Sequence, residues 1–322
     1  MTYSRIAGTG SYLPEKVLTN HDLEEMMDTS DDWIQERTGI KRRHIAADGE
    51  ATSDLALAAA NEALDMAGIA ADDINLIIIA TTTPDKVFPG VACIVQRRLG
   101  IRGCGAFDIQ AACSGFVYGL DLADRYIRTG AAKNVLVIGA ETLSRLTNWE
   151  DRTTAVLFGD GAGAVVLQEA DEPGILSTHI HADGQYEDLL QVPQGISSGY
   201  DATRAGEAFI QIYGNAVFRR AVATLDSIAR ETLEKNNIDK HDLDWFVPHQ
   251  ANMRIISAAA KKLDMPMERV IVTVDEHANT SAASIPLALD VAVRDGRIKR
   301  GELLLFEAFG AGFTWGSTLL RF

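Results

Sequence analysis

Cysteine and positive charge are both scarce in this 322-residue chain, and each shortage excludes a class of function. The three cysteines, Cys93, Cys104 and Cys113, contain no CxxC pair and are odd in number, so we expect neither disulfides nor a zinc site. Lys and Arg number 30 against 45 Asp and Glu, and the formal net charge of −15 argues against general binding to nucleic acid or membranes. An acidic partner would therefore need a local basic patch.

Long apolar runs are also absent. No segment approaches the roughly 18 apolar residues of a membrane span, and the N-terminus lacks the pattern of a signal peptide. We therefore expect a cytoplasmic protein. With 47% hydrophobic and 23% charged residues, the composition is typical of a globular protein with one large or two medium structural units.

The chain alternates short apolar runs with helical patterns. The runs predicted as strands are 76–80, 135–139, 164–167, 245–247, 270–274 and 303–306, and the predicted helices are 55–67, 90–99, 114–128, 218–235, 253–263 and 281–294. Strands that alternate with helices predict an α/β fold with mainly parallel sheets. The Gly- and Ser-rich stretch 194–207 interrupts the pattern and is predicted to be a long loop, of the kind that often forms a lid.

The chain also resembles itself. Residues 61–79 align with 230–248 at an offset of 169, and 112–130 align with 278–296 at an offset of 166. A chance match of common helix–strand units is the alternative, but the order of the matching units is kept. The repeat predicts two halves, 1–172 and 173–322, that pack pseudo-symmetrically. It places Cys113 and Asn279 at corresponding strand-to-helix turns.

Cys113 lies in "FDIQAACSGF", between a strand-like run and a helix whose apolar residues recur at spacings of four, three and four. A thiol at the first turn of a helix meets unpaired N–H groups and the positive end of the dipole, which would lower its pKa. The alternative is a cysteine that only fills space in the core, which is our interpretation of Cys93 and Cys104.

Two further polar residues stand at the ends of core elements. His249 follows a predicted strand, and Asn279 lies at a strand-to-helix turn. Taken singly, His249 is better explained as a core histidine with satisfied hydrogen bonds, and Asn279 as a helix cap. Together with Cys113 they suggest acyl transfer, because a thiol nucleophile needs fixed donors to stabilise the oxyanion.

Longer motifs identify a family. "ACSGF", "VPHQAN", "NTSAAS", "DTSDDWIQERTGI", "FGDGAGAVVL" and "EAFGAGFTWGS" closely resemble the 3-oxoacyl-[acyl-carrier-protein] synthase III family of the thiolase-like superfamily, over essentially the whole chain. The resemblance implies a duplicated, five-layered α-β-α-β-α fold and a homodimer without metal or cofactor. It also implies a decarboxylative Claisen condensation of an acyl-CoA primer, acetyl-CoA first among them, with malonyl-acyl carrier protein.

The resemblance assigns roles to single residues. Cys113 carries the acyl group, and His249 and Asn279 stabilise the enolate that forms when malonyl loses CO2. The remaining assignments are as follows: backbone N–H groups of Cys113 and of the 310–312 turn, at Ala311, form the oxyanion hole; Trp33, Arg37, Arg152 and Asn252 contact CoA or pantetheine; and Phe88 closes the acyl pocket across the dimer interface.

The predicted helix 253–263 carries a basic face. Arg254, Lys261 and Lys262 lie on its outer side at spacings of seven and eight. Such a face is usually only solvated. On an acidic protein, close after His249, it is a candidate docking site for the acidic carrier protein, as in the family, and Arg219 is expected to extend it.

Two positions depart from the family pattern. Ala278 and Ala311 stand where glycine is usual, and alanine at positive φ costs about 1 kcal/mol, so both should have negative φ in an intact site.

The primer stays open between acetyl-CoA and a longer or branched acyl-CoA for a specialised lipid or polyketide pathway. A papain-like hydrolase, a degradative thiolase and a 3-hydroxy-3-methylglutaryl-CoA synthase lack matching motifs here, and a non-catalytic carrier-binding scaffold would not need all three polar residues.

Overall fold

The computed structural model describes residues 2–197, 199, 201, 205 and 208–322. Its strands are β1 (Tyr3–Tyr12), β2 (Lys16–Thr19), β3 (Arg42–Ile45), β4 (Leu76–Ala80), β5 (Gly105–Ile109), β6 (Asn134–Thr142), β7 (Asp160–Ala170), β8 (Ile175–Ala182), β9 (Leu190–Gln191), β10 (Gln211–Ile212), β11 (Trp245–Pro248), β12 (Leu303–Gly310) and β13 (Thr314–Arg321).

The α-helices of the described residues are α1 (Asn20–Met26), α2 (Asp31–Thr38), α3 (Thr52–Ala67), α4 (Val91–Arg98), α5 (Gly115–Arg128), α6 (Arg152–Ala155), α7 (Gly214–Asn236), α8 (Met253–Lys262), α9 (Val274–His277) and α10 (Ser284–Arg294). Short 3₁₀ turns precede two of them, Ala112–Ser114 before α5 and Ser281–Ala283 before α10.

Two sheets repeat one strand order. The first sheet has the order β1-β7-β6-β4-β5, with antiparallel pairs at the β1 side and parallel pairs at the β5 side. The second has the order β8-β13-β12-β11 with the same directions, and beyond β11 a single parallel bridge joins Phe246 to Val270. The internal duplication is therefore visible in the topology, whereas the division of the chain at residue 172 stays a prediction.

Helices cover both sheets and fill the space between them. Apolar residues of α3 and α4 pack on the outer face of the first sheet, and those of α7 and α8 on the outer face of the second. The apolar faces of α5 and α10 lie between the two sheets, where Phe116 and Leu289 share a core with Val137 and Phe306. This arrangement confirms the predicted five-layered α-β-α-β-α fold.

The two central helices begin at turns that lie against each other. A Cβ on Gly139 of β6 would lie 2.6 Å from the carbonyl carbon of Ala282, so only glycine lets the turn before α10 approach the first sheet this closely. Cys113 is in the turn before α5. The crossing of α5 and α10 therefore sets the position of the nucleophile relative to the second half.

The predicted equivalence of Cys113 and Asn279 is wrong by three residues. Each turn opens on a residue with positive φ, Ala112 at 44° and Ser281 at 48°, and these two residues are 169 positions apart. The counterpart of Cys113 is therefore Ala282. The offset of 166 holds only at the far ends of the helices, because α10 has 11 residues and α5 has 14.

Candidate active site

A cavity of about 1470 Å³ brings Cys113, His249 and Asn279 together. Its wall also includes the predicted site residues Trp33, Arg37, Asn252, Arg254 and Ala311. The other predicted contacts, Arg152, Phe88, Arg219, Lys261 and Lys262, are not among the residues that line it. The three side chains chosen for chemistry thus face one space, although 166 residues separate the first from the last.

Cys113 lines this cavity and has 9% of its surface exposed. Its turn is tied to β13 on both sides, because Ser114 Oγ donates to the Thr314 carbonyl (3.0 Å) and Thr314 Oγ1 donates to the Ala111 carbonyl (2.8 Å). These bonds leave the turn little freedom. The thiol is consequently held in a fixed place immediately before the first turn of α5.

The prediction of a lowered thiol pKa is wrong. Burial raises the pKa of Cys113 to about 12, and the Ser281 hydroxyl, which opposes this shift, does not compensate for it. A helix N-terminus supplies at most a modest stabilisation of an anion, whereas a thiolate out of water loses its hydration. The resting cysteine is therefore a protonated thiol.

His249 follows β11 and is held from two sides. Its backbone N–H donates to the Glu307 carbonyl (2.7 Å), and its Nδ1 lies 2.6 Å from Ser284 Oγ. Burial lowers the pKa of His249 to about 3. The imidazole is neutral throughout the physiological range, so it can donate or accept one hydrogen bond toward the cavity without carrying a charge.

Asn279 is fixed by its backbone and by its own side chain. Its N–H donates to the Leu157 carbonyl (2.9 Å), and its carbonyl accepts from Gly159 (3.0 Å). Its Oδ1 accepts from the backbone N–H of Ser281 at 2.9 Å. With Oδ1 occupied in this way, the Nδ2 amino group is the part of the amide left to donate into the cavity.

The two alanines behave differently. Ala311 has no positive φ, as predicted, whereas Ala278 has φ 58° and ψ −161° and contradicts the prediction of a negative φ there. Ala278 is fully buried, and hydrogen bonds on both sides, Ala278 N–H to Val274 and Asn279 N–H to Leu157, impose this conformation. Asn279 is thus held in place by a strained neighbour.

Four residues that support the site were not predicted, because in the sequence they look like ordinary polar residues of a protein core. Gln250 is buried, and its Oε1 accepts from Thr273 and Val274 while its Nε2 donates to the carbonyls of Pro248 and Ile271. The others are Ser284 at His249, Ser281 beside Cys113, and Glu141 beside Ser281.

Glu141 is completely buried and lies beside Ser281. Its Oε2 accepts from the hydroxyls of Thr82 (2.9 Å) and Thr83 (2.7 Å) and from the Thr82 N–H (3.0 Å), whereas Oε1 has no partner in the described part of the chain. Burial raises the pKa of this carboxyl, and the threonine hydrogen bonds oppose that rise. A carboxyl group of this kind is a costly feature to keep in a core.

Trp33 and two arginines form one cluster at the mouth. The guanidinium carbon of Arg37 lies 4.6 Å from the centre of the Trp33 ring, and that of Arg152 lies 5.0 Å from it. Arg152 also donates to the Asp28 carbonyl at 2.8 Å. The cluster combines an aromatic plane with two cations.

Asn252 joins α2 to α8. Its Oδ1 caps α8 by accepting from the Arg254 N–H (2.8 Å), and its Nδ2 donates to the Arg37 carbonyl (3.0 Å). This residue therefore has a structural role, and a substrate contact would have to share these groups.

The predicted basic face is exposed. Arg219, Arg254 and Lys261 have no carboxylate within 4 Å among the described residues, and Lys262 Nζ lies 4.0 Å from Asp226. The Arg254 guanidinium lies over the Phe218 ring, with 5.4 Å between its carbon and the ring centre. Arg254 lies on the cavity wall, so the basic face reaches the mouth.

Phe88 projects away from the protein with 82% of its surface exposed, and the adjacent Val87 is 63% exposed. Among the described residues, the nearby strand β5 is an edge strand that pairs with β4 alone. Exposed apolar side chains beside an open strand edge are typical of a surface that is covered by another chain.

Part of the predicted loop, residues 198–207, falls largely outside the described residues, but Gln194, Gly195 and Ile196 line the cavity. In the described part of the chain, no cluster of three His, Cys, Asp or Glu side chains could hold a metal ion. None of the described helices combines the length and the apolar character needed to cross a membrane.

Comparison with known proteins agrees with this geometry. Residues 107–184 match the family model described as 3-oxoacyl-[acyl-carrier-protein] synthase III, and residues 233–322 match the model of its C-terminal part. A beta-ketoacyl-[acyl-carrier-protein] synthase III of Thioalkalivibrio sulfidiphilus is 66% identical over 322 residues, which is 100% of both chains.

Solved structures give the same result. The crystal structure of 3-oxoacyl-[acyl-carrier-protein] synthase III from Aquifex aeolicus superposes with a TM-score of 0.94 at 49% identity, covering 99% of this chain and 100% of that chain. The enzyme of the same name from Pseudomonas aeruginosa gives a TM-score of 0.93 at 42% identity, with 99% and 98% coverage. The chain therefore belongs to the 3-oxoacyl-[acyl-carrier-protein] synthase III family, as its motifs predicted, and is an acyltransferase.

Proposed function

We propose that this enzyme condenses acetyl-CoA with malonyl-acyl carrier protein through an acetyl group carried on Cys113. The observation that carries the proposal is the shared cavity, which holds a buried thiol and two neutral donor side chains, His249 and Asn279, contributed by different parts of the chain. The products are a 3-oxoacyl carrier protein, CO2 and CoA, which makes the reaction an initiating step of fatty-acid synthesis.

In the first half-reaction, Cys113 attacks the thioester carbonyl of acetyl-CoA. The thiol loses its proton as the C–S bond forms, and the CoA sulfur leaves and takes up a proton. Backbone N–H groups of Cys113 and Ala311 stabilise the oxyanion in this proposal. Support comes from the close approach of Gly310 to Cys113, which brings the two backbone segments together.

In the second half-reaction, malonyl-acyl carrier protein loses CO2, and the resulting enolate attacks the acetyl-cysteine. A C–C bond forms, the C–S bond to Cys113 breaks, and the cysteine sulfur leaves and takes up a proton from solvent. His249 Nε2 and Asn279 Nδ2 are the proposed donors to the enolate oxygen. Neutral donors suit this task, because negative charge that develops in a buried site is best met by fixed dipoles that need no rearrangement. Burial holds the pKa of His249 at about 3, so the ring is neutral before the substrates bind.

The CoA nucleotide is proposed to bind at the mouth. Trp33 and Arg152 would hold the adenine ring between an aromatic plane and a cation, Arg37 would contact the nucleotide, and Asn252 the pantetheine. Support comes from the position of both arginines over the Trp33 ring, which places an aromatic plane and two cations where a base could stack.

The carrier protein is proposed to dock on Arg219, Arg254, Lys261 and Lys262. Support comes from the charge contrast: these exposed cations lie on a protein with a net charge of −15 and extend to the mouth of the cavity. An acidic domain would be guided to this face over the repulsive remainder of the surface.

We further propose that two copies associate, so that Phe88 of each copy closes the acyl pocket of the other. The exposed Phe88 and Val87 and the open edge of β5 support this proposal. The two halves 1–172 and 173–322, a cytoplasmic location and the need for no cofactor besides the two substrates belong to the same proposal.

The test incubates the protein with acetyl-CoA and malonyl-acyl carrier protein and measures CO2 and the 3-oxoacyl product, beside a Cys113→Ala variant. We expect product from the wild type only. Free acetate as the sole product, or acetylation of the Cys113→Ala variant, would contradict the proposal. Longer and branched acyl-CoA primers in parallel reactions test the choice of acetyl-CoA, because one methylene in a pocket is worth about 1–3 kcal/mol.

A further inference from the structure

The ring of His249 has one nitrogen occupied inside the protein. Its Nδ1 lies 2.6 Å from the hydroxyl of Ser284, the first residue of α10, and both side chains are buried. His249 lines the cavity, so Nε2 is the nitrogen left to face a substrate. Which nitrogen carries the single proton of the neutral ring decides whether Nε2 donates or accepts.

The hydrogen bonds of Ser284 settle this question. Its oxygen accepts from the backbone N–H of Gln250 at 3.2 Å. In the described part of the chain, His249 Nδ1 is the only acceptor within hydrogen-bond distance of the Ser284 hydroxyl proton. A proton on Nδ1 would place two donors against one oxygen and leave the buried hydroxyl proton without an acceptor, which is unfavourable.

We infer that Ser284 is a positioning residue that holds His249 in the Nε2–H tautomer and so keeps it a hydrogen-bond donor toward the enolate oxygen. Asn279 is set in the same sense by a different contact, the bond from the Ser281 N–H to Oδ1, which leaves Nδ2 as the donor. The inference rests on the proposed roles of His249 and Asn279. A neutral imidazole can exist in two tautomers, and the contact with Ser284 explains why His249 adopts one of them.

The consequence is a split between the two half-reactions. Without the Ser284 hydroxyl, nothing in its place fixes the proton of His249, and molecules with Nδ1–H offer the enolate an acceptor instead of a donor. We expect Ser284→Ala to slow condensation in proportion to the share of molecules that lose the Nε2 proton, about twofold for an equal mixture of tautomers. Acetylation of Cys113 does not use this donor and should stay close to the wild-type rate.

The experiment uses nitrogen-15-labelled histidine and reads the two ring nitrogens of His249 by NMR, with assignment from the spectrum of His249→Ala. The wild type should show Nε2–H, Ser284→Ala a mixture of tautomers, and Ser284→Thr, which keeps the hydroxyl, mainly Nε2–H with recovered condensation. Ser4→Ala is the matched control, because Ser4 is another buried serine whose hydroxyl donates, to Asp124 at 2.7 Å.

Three results would overturn the inference. One is an Nδ1–H ring in the wild type, which needs no variant to detect. The second is condensation by Ser284→Ala at the rate of Ser4→Ala, and the third is an equal loss of both half-reactions that Ser284→Thr does not recover, which would mean damage to the fold. If the wild type itself forms no 3-oxoacyl product, the proposed function fails, while the NMR spectrum still tests the tautomer separately.

Discussion

Adding one methyl group at Gly310 should disturb the surroundings of the nucleophile directly. A Cβ built on Gly310 would lie 2.7 Å from the backbone nitrogen of Cys113 and 3.2 Å from its Cα. Ordinary contacts begin near 3.4 Å, so the two backbone segments must separate by about 0.7 Å in Gly310→Ala. Gly310 does not have a positive φ, so the alanine tests packing and introduces no backbone strain of its own.

Such a shift should cost more activity than stability. Overpacking of a core typically costs about 1–3 kcal/mol, which a protein of this size can tolerate. An oxyanion donor, however, must lie about 2.7–3.1 Å from the oxygen, and loss of a single donor lowers the rate about 10²–10³-fold. Because the Cys113 N–H would move out of this range, we expect Gly310→Ala to accept acetyl about 100-fold more slowly.

The rate of acetyl transfer from acetyl-CoA to the protein, followed by rapid quenching and intact-protein mass spectrometry, measures this effect. Gly184→Ala is the control, because a Cβ at Gly184 would meet no atom within 4 Å. A Gly310→Ala variant that is acetylated as fast as Gly184→Ala would refute the reasoning about the oxyanion hole. Thermal unfolding of both variants separates a local effect from loss of the fold.

Further expectations concern the other parts of the site. His249→Ala and Asn279→Ala should still accept acetyl but decarboxylate malonyl-acyl carrier protein poorly; loss of acetylation alone would place them in the wrong step. Arg254→Glu with Lys261→Glu should raise KM for the carrier-bound substrate and leave that for acetyl-CoA nearly unchanged; an equal rise in both would remove the docking assignment. The pKa values of His249 (about 3) and His277 (about 4) lie below the 6.5 of an exposed histidine, so at these two residues the unfolded chain binds more protons below pH 6.5. Each histidine should therefore lower the free energy of unfolding by up to about 1.4 kcal/mol per pH unit as the pH drops from about 6.5 toward 4. The wild type should lose stability more steeply over this range than His249→Ala, and urea-unfolding series with equal slopes for the two proteins would contradict the reasoning.

Periodicity was enough to predict much of the fold. The apolar run 76–80 is β4 to the residue, and the predicted helix 253–263 differs from α8 by one residue. Each of these elements buries one or more full faces, so apolar residues recur in the sequence with the period of the element. Strands β1 and β13 contain glycines where backbones approach closely, so their apolar pattern is broken and the sequence alone did not delimit them.

The prediction of a strand at 270–274 is wrong for a different reason. The segment has the composition of a strand and occupies the place of β5 in the second half, but in the described part of the chain it forms a single bridge, from Phe246 to Val270. The side chain of Gln250 takes the position of a strand partner, binding the N–H of Thr273 and the carbonyl of Ile271. Hydrophobic periodicity cannot predict that the side chain of Gln250 will take the hydrogen bonds that a neighbouring strand would otherwise make.

The candidate site also has features that the sequence predicted and features that it did not. Cys113, His249 and Asn279 stand at ends of core elements, and their position could be inferred from the sequence. The pKa of Cys113 could not, because it depends on burial by residues of the other half, and neither could the role of Ser284, which lies 35 residues from His249. Long-range packing decides both.

The fate of a labelled acetyl group tests the proposed chemistry most directly. The protein is loaded with acetyl-CoA labelled in its acetyl group, freed of excess substrate, digested in one portion to locate the label, and mixed in another with malonyl-acyl carrier protein for one turnover. We predict that the label is found on the peptide containing Cys113 and then moves to the carrier-bound 3-oxoacyl product as one CO2 is released. Label on any other residue, or its release as free acetate when malonyl-acyl carrier protein is added, would contradict the proposed mechanism.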